Sequence, residues 1–252
     1  MMIDNEILKT FSPVSLEEMG KVKLMNRIDT KFVTSFDVIE ELLRQASGKY
    51  FIQQIDGRRN MPYYTRYYDT RDVEMFYQHQ RGKKNRQKVR VRHYEECGML
   101  PFVEIKTKNN KGRTRKKRVL MEEGAELSFY DEFLNSHSPY DSRTLIPHIE
   151  NHFYRITLVD RAMTERVTID TNLEFHNLTT GQVVKLGNIG IIEWKRDGRQ
   201  KNSELAKILN RLRVRPSGFS KYCIGMAVTN PDLRQNRLKK KLRMINKINP
   251  FI

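Results

Sequence analysis

The sequence predicts an α+β fold in which an antiparallel β-sheet or β-barrel is flanked by a few helices. Three observations support this: many short segments alternate apolar and polar residues, turn residues separate them, and no regular strand–helix–strand rhythm appears. An alternating piece at 28–33 is followed by seven predicted strands, at 63–68, 88–94, 100–108, 113–121, 155–159, 165–170 and 188–194.

Helices are predicted at four places. Ser15, followed three residues later by Glu18, has the spacing of a capping box and predicts a helix start within residues 15–26. Apolar residues on one face predict a second helix at 36–45, and further helices are expected at 126–135 and 202–212. The chain contains no internal repeat or low-complexity linker. We therefore expect one domain over residues 1–232 and a basic C-terminal tail or helix over 233–252.

Positive charge is concentrated in two parts of the chain. The sequence has 47 Lys and Arg against 30 Asp and Glu, a net charge of +17. Residues 81–118 contain 15 of the basic residues and three acids, and residues 233–252 contain seven basic residues and no acid. Focused positive potential of this kind attracts phosphates.

We expect a soluble, intracellular, cytoplasmic protein. No apolar run approaches the length of a membrane-spanning helix, and the N-terminus carries acids where a secretory signal would carry lysines. Cys97 and Cys223 lack the spacing of a metal site, which indicates free thiols in a reducing compartment.

The segment Lys88-Val-Arg90-Val-Arg92 places a cation at every second position. In a strand, these cations share one face while the valines point to the other. The pattern returns at 102–108, 166–170 and 192–195. A single such strand is typical of a solvated sheet face, but four indicate an anion site, because like charges on neighbouring strands destabilise a sheet. We expect one shared cavity for Arg90, Arg92, Lys106 and Arg166, with Val89, Val91, Ile105 and Val167 in the shell around it.

Few carboxylates occur on these predicted faces: Asp29, Glu104, Asp170 and Glu193. Each is either a counter-ion or a ligand for Mg²⁺ or Mn²⁺, which use oxygen ligands and share them with substrate phosphates. Glu193 is the favoured metal ligand and Asp29 the second candidate, whereas Glu104 fits a salt bridge equally well. The sequence contains no standard nucleotide-binding motif and no nucleophile–base pair.

An ordered series of short motifs over residues 20–228 resembles the VTC domain, the polyphosphate polymerase domain of the vacuolar transporter chaperone complex and its bacterial relatives. The motifs are Arg27-Ile-Asp29-Thr-Lys31-Phe-Val33, Tyr67-Tyr-Asp69-Thr-Arg-Asp-Val-Glu-Met-Phe76, Lys88-Val-Arg-Val-Arg-His-Tyr94, Phe102-Val-Glu-Ile-Lys106, Val159-Asp-Arg161-Ala162, Arg166-Val-Thr-Ile-Asp170, Ile192-Glu193-Trp-Lys195 and Ser220-Lys221-Tyr222.

The resemblance implies a triphosphate tunnel metalloenzyme, a hollow antiparallel barrel lined by Lys and Arg. It also implies transfer of the γ-phosphate of ATP to a growing polyphosphate chain with Mn²⁺ or Mg²⁺, and a membrane-protein partner is compatible with it. By position, the phosphate-contacting cations would be Lys31, Arg90, Arg92, Lys106, Arg161, Arg166 and Lys221, with Glu193 binding metal. Lys88 joins the cations, either Lys117 or Arg118 supplies another, and Glu104, Lys195 and Tyr222 are supporting candidates.

One departure bears on the reaction. Members of the wider superfamily begin with alternating glutamates before a lysine, and here Arg27 and Asp29 stand in those places. This favours a polymerase over a two-metal hydrolase.

Two other functions remain open from the sequence. The same tunnel could act as a tripolyphosphatase or nucleoside triphosphatase, or the protein could bind polyphosphate or nucleic acid without catalysis. In the last case Tyr63, Tyr64, Tyr67 and Tyr68 could stack on bases. Their strand-like run fits wall and core positions better, so nucleic acid is the less favoured ligand.

Overall fold

The computed structural model describes residues 3–20, 22, 27–94, 99–110, 114–198 and 203–250. Within these ranges the chain forms one curled antiparallel sheet with helices on its flanks, which confirms the predicted α+β class. The predictions made for Cys97, Arg113, Asn202 and part of segment 15–26 fall outside the described residues.

Eleven strands make up the sheet within the described ranges. The predicted strands 155–159 and 165–170 are parts of two much longer ones, and three short strands were not predicted. The strands are β1 Ser12–Val14, β2 Arg27–Ser35, β3 Tyr50–Gln53, β4 Met61–Thr70, β5 Arg86–Tyr94, β6 Met99–Lys108, β7 Thr114–Leu120, β8 Leu145–Asp160, β9 Glu165–Asn177, β10 Val183–Leu186 and β11 Ile189–Asp197.

The main strand order is β2-β11-β9-β8-β4-β5-β6-β7, and all of these pairs are antiparallel. The sheet curls into a half-barrel. Lys106 on β6 is near enough to Lys31 on β2 and Glu193 on β11 for their charges to shift its pKa, although four strands separate β6 from β11. The curl therefore brings the two ends of the sheet to face each other across a concave side.

Eight α-helices flank the sheet in the described ranges. The Ser15–Glu18 capping box is present, with Ser15 N donating to Glu18 at 2.8 Å and Glu18 N donating to Ser15 Oγ at 3.1 Å. The predicted helix 126–135 is divided into a 3₁₀ turn, Leu127–Tyr130, and an α-helix. The helices are α1 Asn5–Lys9, α2 Leu16–Met19, α3 Phe36–Ala46, α4 Glu74–Gln80, α5 Asp131–His137, α6 Glu204–Arg211, α7 Lys221–Thr229 and α8 Lys239–Ile248.

A carboxylate is built into the apolar layer between α3, α6 and the convex side of β9 and β11. Glu165 is 1% exposed and accepts hydrogen bonds from Trp194 Nε1 at 2.7 Å, from Ser203 Oγ at 3.0 Å and from the Tyr50 hydroxyl. Burial raises the pKa of Glu165, and these hydrogen bonds only partly offset that effect. Neutral donors thus satisfy this acid inside the core.

Helix α7 lies against the concave side at one end of the half-barrel. Ser220 caps it by accepting from Cys223 N at 3.2 Å, and the Cys223 thiol is free and buried. Gly225 allows the close approach, because a Cβ there would lie 2.5 Å from Phe175 Cδ1 and 2.7 Å from Ile149 Cδ1. The helix therefore packs on the sheet through its own backbone.

The basic C-terminal segment forms helix α8, which is docked on the body. Ile245 is 0% exposed and Leu238, just before the helix, is 6% exposed. Asn188 N donates to Asn249 Oδ1 at 2.7 Å at the far end. No helix of the described chain is long and apolar enough to cross a membrane.

Candidate phosphate-binding site

The alternating cations of β5, β6 and β9 lie on the concave side. Val89, Val91, Ile105 and Val167 are between 0% and 4% exposed in the shell, so the intervening basic residues turn the other way. These cations are close enough to lower one another's pKa values. Arg92 is affected by Arg90 and Arg155, Lys106 by Arg90, and Arg166 by Arg155. We call this lined concavity the cationic groove. It comprises Lys31, Lys88, Arg90, Arg92, Glu104, Lys106, Arg155, Arg166, Asp170, Glu193, Lys195 and Lys221.

Strand register places the groove residues of β5, β6 and β7 in cross-strand rows. One row is Arg90–Glu104–Arg118, in which Glu104 is fully buried and accepts from Arg90 Nε at 2.8 Å and Nη2 at 2.6 Å. Lys116 Nζ, from the next row, bonds Glu104 at 2.9 Å. Burial alone would raise the pKa of Glu104, but Arg90, Arg92 and Lys116 lower it to about 2. Glu104 is therefore an ionised counter-ion at neutral pH.

The adjacent row contains three lysines, Lys88–Lys106–Lys116, with no carboxylate among them. Like charges directly opposite each other destabilise a sheet. Lys88 Nζ donates to Ser220 Oγ at 2.5 Å, and Lys106 has no hydrogen-bond or ion-pair partner among the described residues. Burial and the neighbouring Arg90 lower the pKa of Lys106 to about 7. The positive charge of this row therefore exceeds the negative charge available to compensate it.

On the opposite wall, Glu193 of β11 pairs across the strands with Lys31 of β2. Its carboxylate lies 3.0 Å from Lys31 Nζ and also contacts Lys195. These two lysines hold the pKa of Glu193 well below its usual range, although burial opposes that effect. Asp29 is nearer the edge of the sheet and is paired with Arg27 at 2.7 Å.

A second buried carboxylate, Asp170, lies between Arg155 and Lys221. Arg155 Nε and Nη2 donate to the two Asp170 oxygens at 2.6 and 2.8 Å, and Lys221 Nζ also contacts the group. Burial lowers the pKa of Lys221 to about 7 despite Asp170. Arg155 was not among the predicted site residues, although Arg155-Ile-Thr157-Leu has the same alternation as the other groove strands.

Two arginines of the groove have buried nitrogens that lack a partner. Arg92 Nε and Arg166 Nε are shielded from solvent and make no hydrogen bond within the described chain. Burial lowers the pKa of both guanidinium groups. The next largest cause is the charge of Arg90 for Arg92 and the charge of Arg27 for Arg166. Together with Lys106, they are groove cations that have no ion-pair partner among the described residues.

Other predicted residues occupy different places. Arg161 follows the end of β8 and lies outside the groove, with its guanidinium 4.1 Å from the centre of the Phe51 ring and Nε donating to Gly48 O at 3.3 Å. Arg118, and not Lys117, shares the groove face, since Lys117 pairs with buried Ile105. Tyr222 is buried and donates to Asp69, so it supports α7 rather than lining the groove. Lys116 was not predicted.

The donor set fits a divalent cation that is shared with phosphates. The described residues contain no group of three or more His, Cys, Asp or Glu side chains that could hold a metal. Glu193 supplies one carboxylate inside the groove, and Asp29 lies diagonally from it on the neighbouring strand. One or two carboxylates together with substrate oxygens are a common set for Mg²⁺.

Residues 26–230 match the VTC domain family. The chain belongs to this family. VTC domains belong to the enzymes that bind polyphosphate or triphosphate in a cation-lined tunnel, in agreement with the groove found here. Comparison with curated proteins gives no match.

Several solved structures resemble this VTC domain at low sequence identity. A proposed adenylate cyclase from Bacillus halodurans is 15% identical with a TM-score of 0.49, and the alignment covers 78% of this chain and 96% of that one. A Pyrococcus horikoshii protein is 13% identical with a TM-score of 0.44, covering 79% and 97%. The Schizosaccharomyces pombe Mediator head module is 10% identical with a TM-score of 0.37, covering 74% and 90%.

Proposed function

We propose that this VTC domain is a metal-dependent polyphosphate polymerase that transfers the γ-phosphate of ATP to a growing polyphosphate chain. The observation that carries the proposal is the set of groove cations without an ion-pair partner in the described chain: Arg92, Lys106 and Arg166. A chain of phosphates would satisfy several of these donors at once and would compensate the lysine row.

The groove residues fit the demands of phosphoryl transfer. This reaction needs in-line positioning and stabilisation of the charge on the moving phosphoryl group, with little covalent chemistry from the protein. Arg92 and Arg166 would donate forked hydrogen bonds, and Lys106 would act as a point charge. Because the end of a polyphosphate chain is already anionic, the transfer requires no strong general base.

Glu193 and Asp29 are the residues that would hold a divalent cation, Mn²⁺ or Mg²⁺, together with phosphate oxygens. When bound, the ion would supply Lewis-acid polarisation of those oxygens. Lys31 and Lys195 keep Glu193 ionised and fix the position of its carboxylate on the groove wall.

The test is incubation of the purified protein with ATP and Mn²⁺ or Mg²⁺, followed by sizing of the products by gel electrophoresis. The proposal predicts long polyphosphate together with ADP. Orthophosphate as the sole phosphate product would identify a triphosphatase instead. Tight triphosphate binding without any turnover would identify a non-catalytic binder.

A further inference from the structure

Helix α8 lies at the end of the cationic groove, beyond the part of the chain that matches the VTC family, which ends at residue 230. Lys241 of this helix is the link between the two. Its Nζ lies close to Gly218, 3.3 Å from where a Cβ of that residue would be. Gly218 is two residues before Ser220, whose hydroxyl accepts a hydrogen bond from Lys88. The helix is therefore beside the end of the groove marked by Lys88.

Cations of the groove and of α8 converge around His79. The pKa of His79 is lowered to about 2, mainly by burial. The positive charges of Lys88, Arg86, Lys241 and Lys108 lower it further. His79 Nδ1 is buried and makes no hydrogen bond in the described part of the chain. Positive charge thus extends from β5 and β6 to Lys241 on the side of α8 that faces the body.

The helix is fixed in place, although its charges repel one another. Arg237 Nη1 donates to Arg81 O at 2.6 Å, and Gln80 Nε2 donates to Arg234 O at 2.5 Å, which anchors the segment to α4. Ile245 is buried, and the Asn188 contacts secure the far end. Packing, and not charge pairing, therefore stabilises α8.

Three exposed cations, Lys239, Arg243 and Lys247, recur at every fourth position on one face of α8. Successive members are about 6 Å apart along the axis. None has a carboxylate within ion-pair distance in the described residues, and like charges at this spacing destabilise a helix. An extended polyanion would relieve this repulsion along its length.

We propose that Lys239, Arg243 and Lys247 form an accessory binding site for the distal part of a polyphosphate chain whose end occupies the cationic groove. The inference rests on the proposed function and deepens it. It makes the affinity of the protein depend on chain length, since only a long polymer reaches both the groove and the helix.

The test compares binding of tripolyphosphate and long-chain polyphosphate, by isothermal titration calorimetry, to the wild-type protein and to K239Q/R243Q/K247Q. We expect unchanged affinity for tripolyphosphate and about tenfold or greater loss for the long chain. The slope of log affinity against log salt should become shallower by about 2, because each contact with a single strand contributes about 0.7. The matched control K9Q/K207Q/R211Q removes equal charge from α1 and α6 and should change neither affinity.

Unchanged long-chain affinity in K239Q/R243Q/K247Q, with tripolyphosphate still bound, would overturn the inference and leave the proposed function standing. A wild-type protein that binds neither phosphate would show that the proposed function itself fails. A further arm uses phosphatidylserine vesicles with phosphatidylcholine vesicles as reference. Loss of vesicle binding in the variant without loss of polyphosphate affinity would assign the helix to a lipid surface and overturn the inference.

Discussion

Strand β9 carries two buried carboxylates that differ in environment. Glu165 points to the convex core and is surrounded by the neutral donors of Tyr50, Trp194 and Ser203, and burial raises its pKa. Asp170 points to the groove between Arg155 and Lys221, and these cations lower its pKa although burial opposes them. On the convex face of the strand, Glu165 accepts hydrogen bonds from neutral groups of the core. On the groove face, Asp170 is the counter-ion of two cations.

The largest expected effect comes from removing the convex carboxylate. Glu165→Ala leaves the donors of Tyr50, Trp194 and Ser203 without an acceptor, and each buried donor left unpaired costs about 1–3 kcal/mol. We expect the free energy of unfolding to fall by about 3 kcal/mol or more, measured by urea denaturation. Glu174→Ala, which breaks an exposed ion pair with Lys185, is the control and should cost under about 1 kcal/mol. Equal stability of the two variants would contradict the role given to Glu165.

On the groove side, Glu193→Gln should abolish metal-dependent transfer while phosphate binding persists. Gln keeps the volume and one acceptor oxygen but lacks the charge that a divalent ion requires. We expect the rate of polymer formation to fall by about a hundredfold or more, comparable with the loss of one transition-state contact. The measurement is polymer yield and ATP affinity across a Mn²⁺ titration. Glu150→Gln, on the convex face, is the matched control, and wild-type turnover of Glu193→Gln at limiting metal would show that Glu193 is a counter-ion only.

Removing an unpaired groove cation should weaken ATP binding without destabilising the protein. Arg92→Ala is expected to lose about 1.5–3 kcal/mol of ATP affinity, the contribution of a hydrogen bond to a charged group. Its stability should be nearly unchanged, because the variant removes the repulsion by Arg90 and Arg155 together with the attraction to Glu104. Arg66→Ala is the control, for which the opposite result is expected. It breaks the 2.7 Å ion pair with Glu150 on the convex face, so it should lower stability and leave ATP affinity unchanged. A loss of stability in Arg92→Ala would mean that its role is structural.

The smallest expected effect is a pH dependence of phosphate affinity. Burial lowers the pKa of Lys106 and of Lys221 to about 7 in the free protein. A bound polyanion favours their charged forms and raises both pKa values, so binding takes up protons. Tripolyphosphate affinity should therefore be highest below pH 7 and fall by roughly tenfold as pH rises by about one to two units above it. Calorimetry in buffers of different ionisation enthalpy would detect the proton uptake, and a flat profile would contradict it.

Period-two alternation was sufficient to predict the groove face, because a strand with one buried side fixes the direction of every side chain. It predicted Arg90, Arg92, Lys106 and Arg166, and the same rule applied to β8 would have found Arg155. Arg161 was assigned by resemblance alone, and the rule does not reach it because β8 ends at Asp160. The Asp160 carboxylate accepts from Thr164 N and Glu165 N at 2.7 Å, which forms the turn that contains Arg161.

Strand pairing could not be read from the sequence of the basic run before Met121. Its consecutive cations give no alternation, so the choice between Lys117 and Arg118 required the register with β6. Helix α8 was expected as either a helix or a loose tail, since its charge suggests solvent and only Leu238 and Ile245 indicate a docked face. Long-range packing decides both cases.

The contact at Gly225 has a consequence for the position of Lys221 in the groove. Lys221 is one helical turn before Gly225, so a side chain at 225 would push α7 from Phe175 and Ile149 and move Lys221 away from Asp170. Asp170 would then be left with Arg155 alone. The position of Lys221 beside Asp170 thus depends on van der Waals clearance between a helix backbone and two apolar side chains.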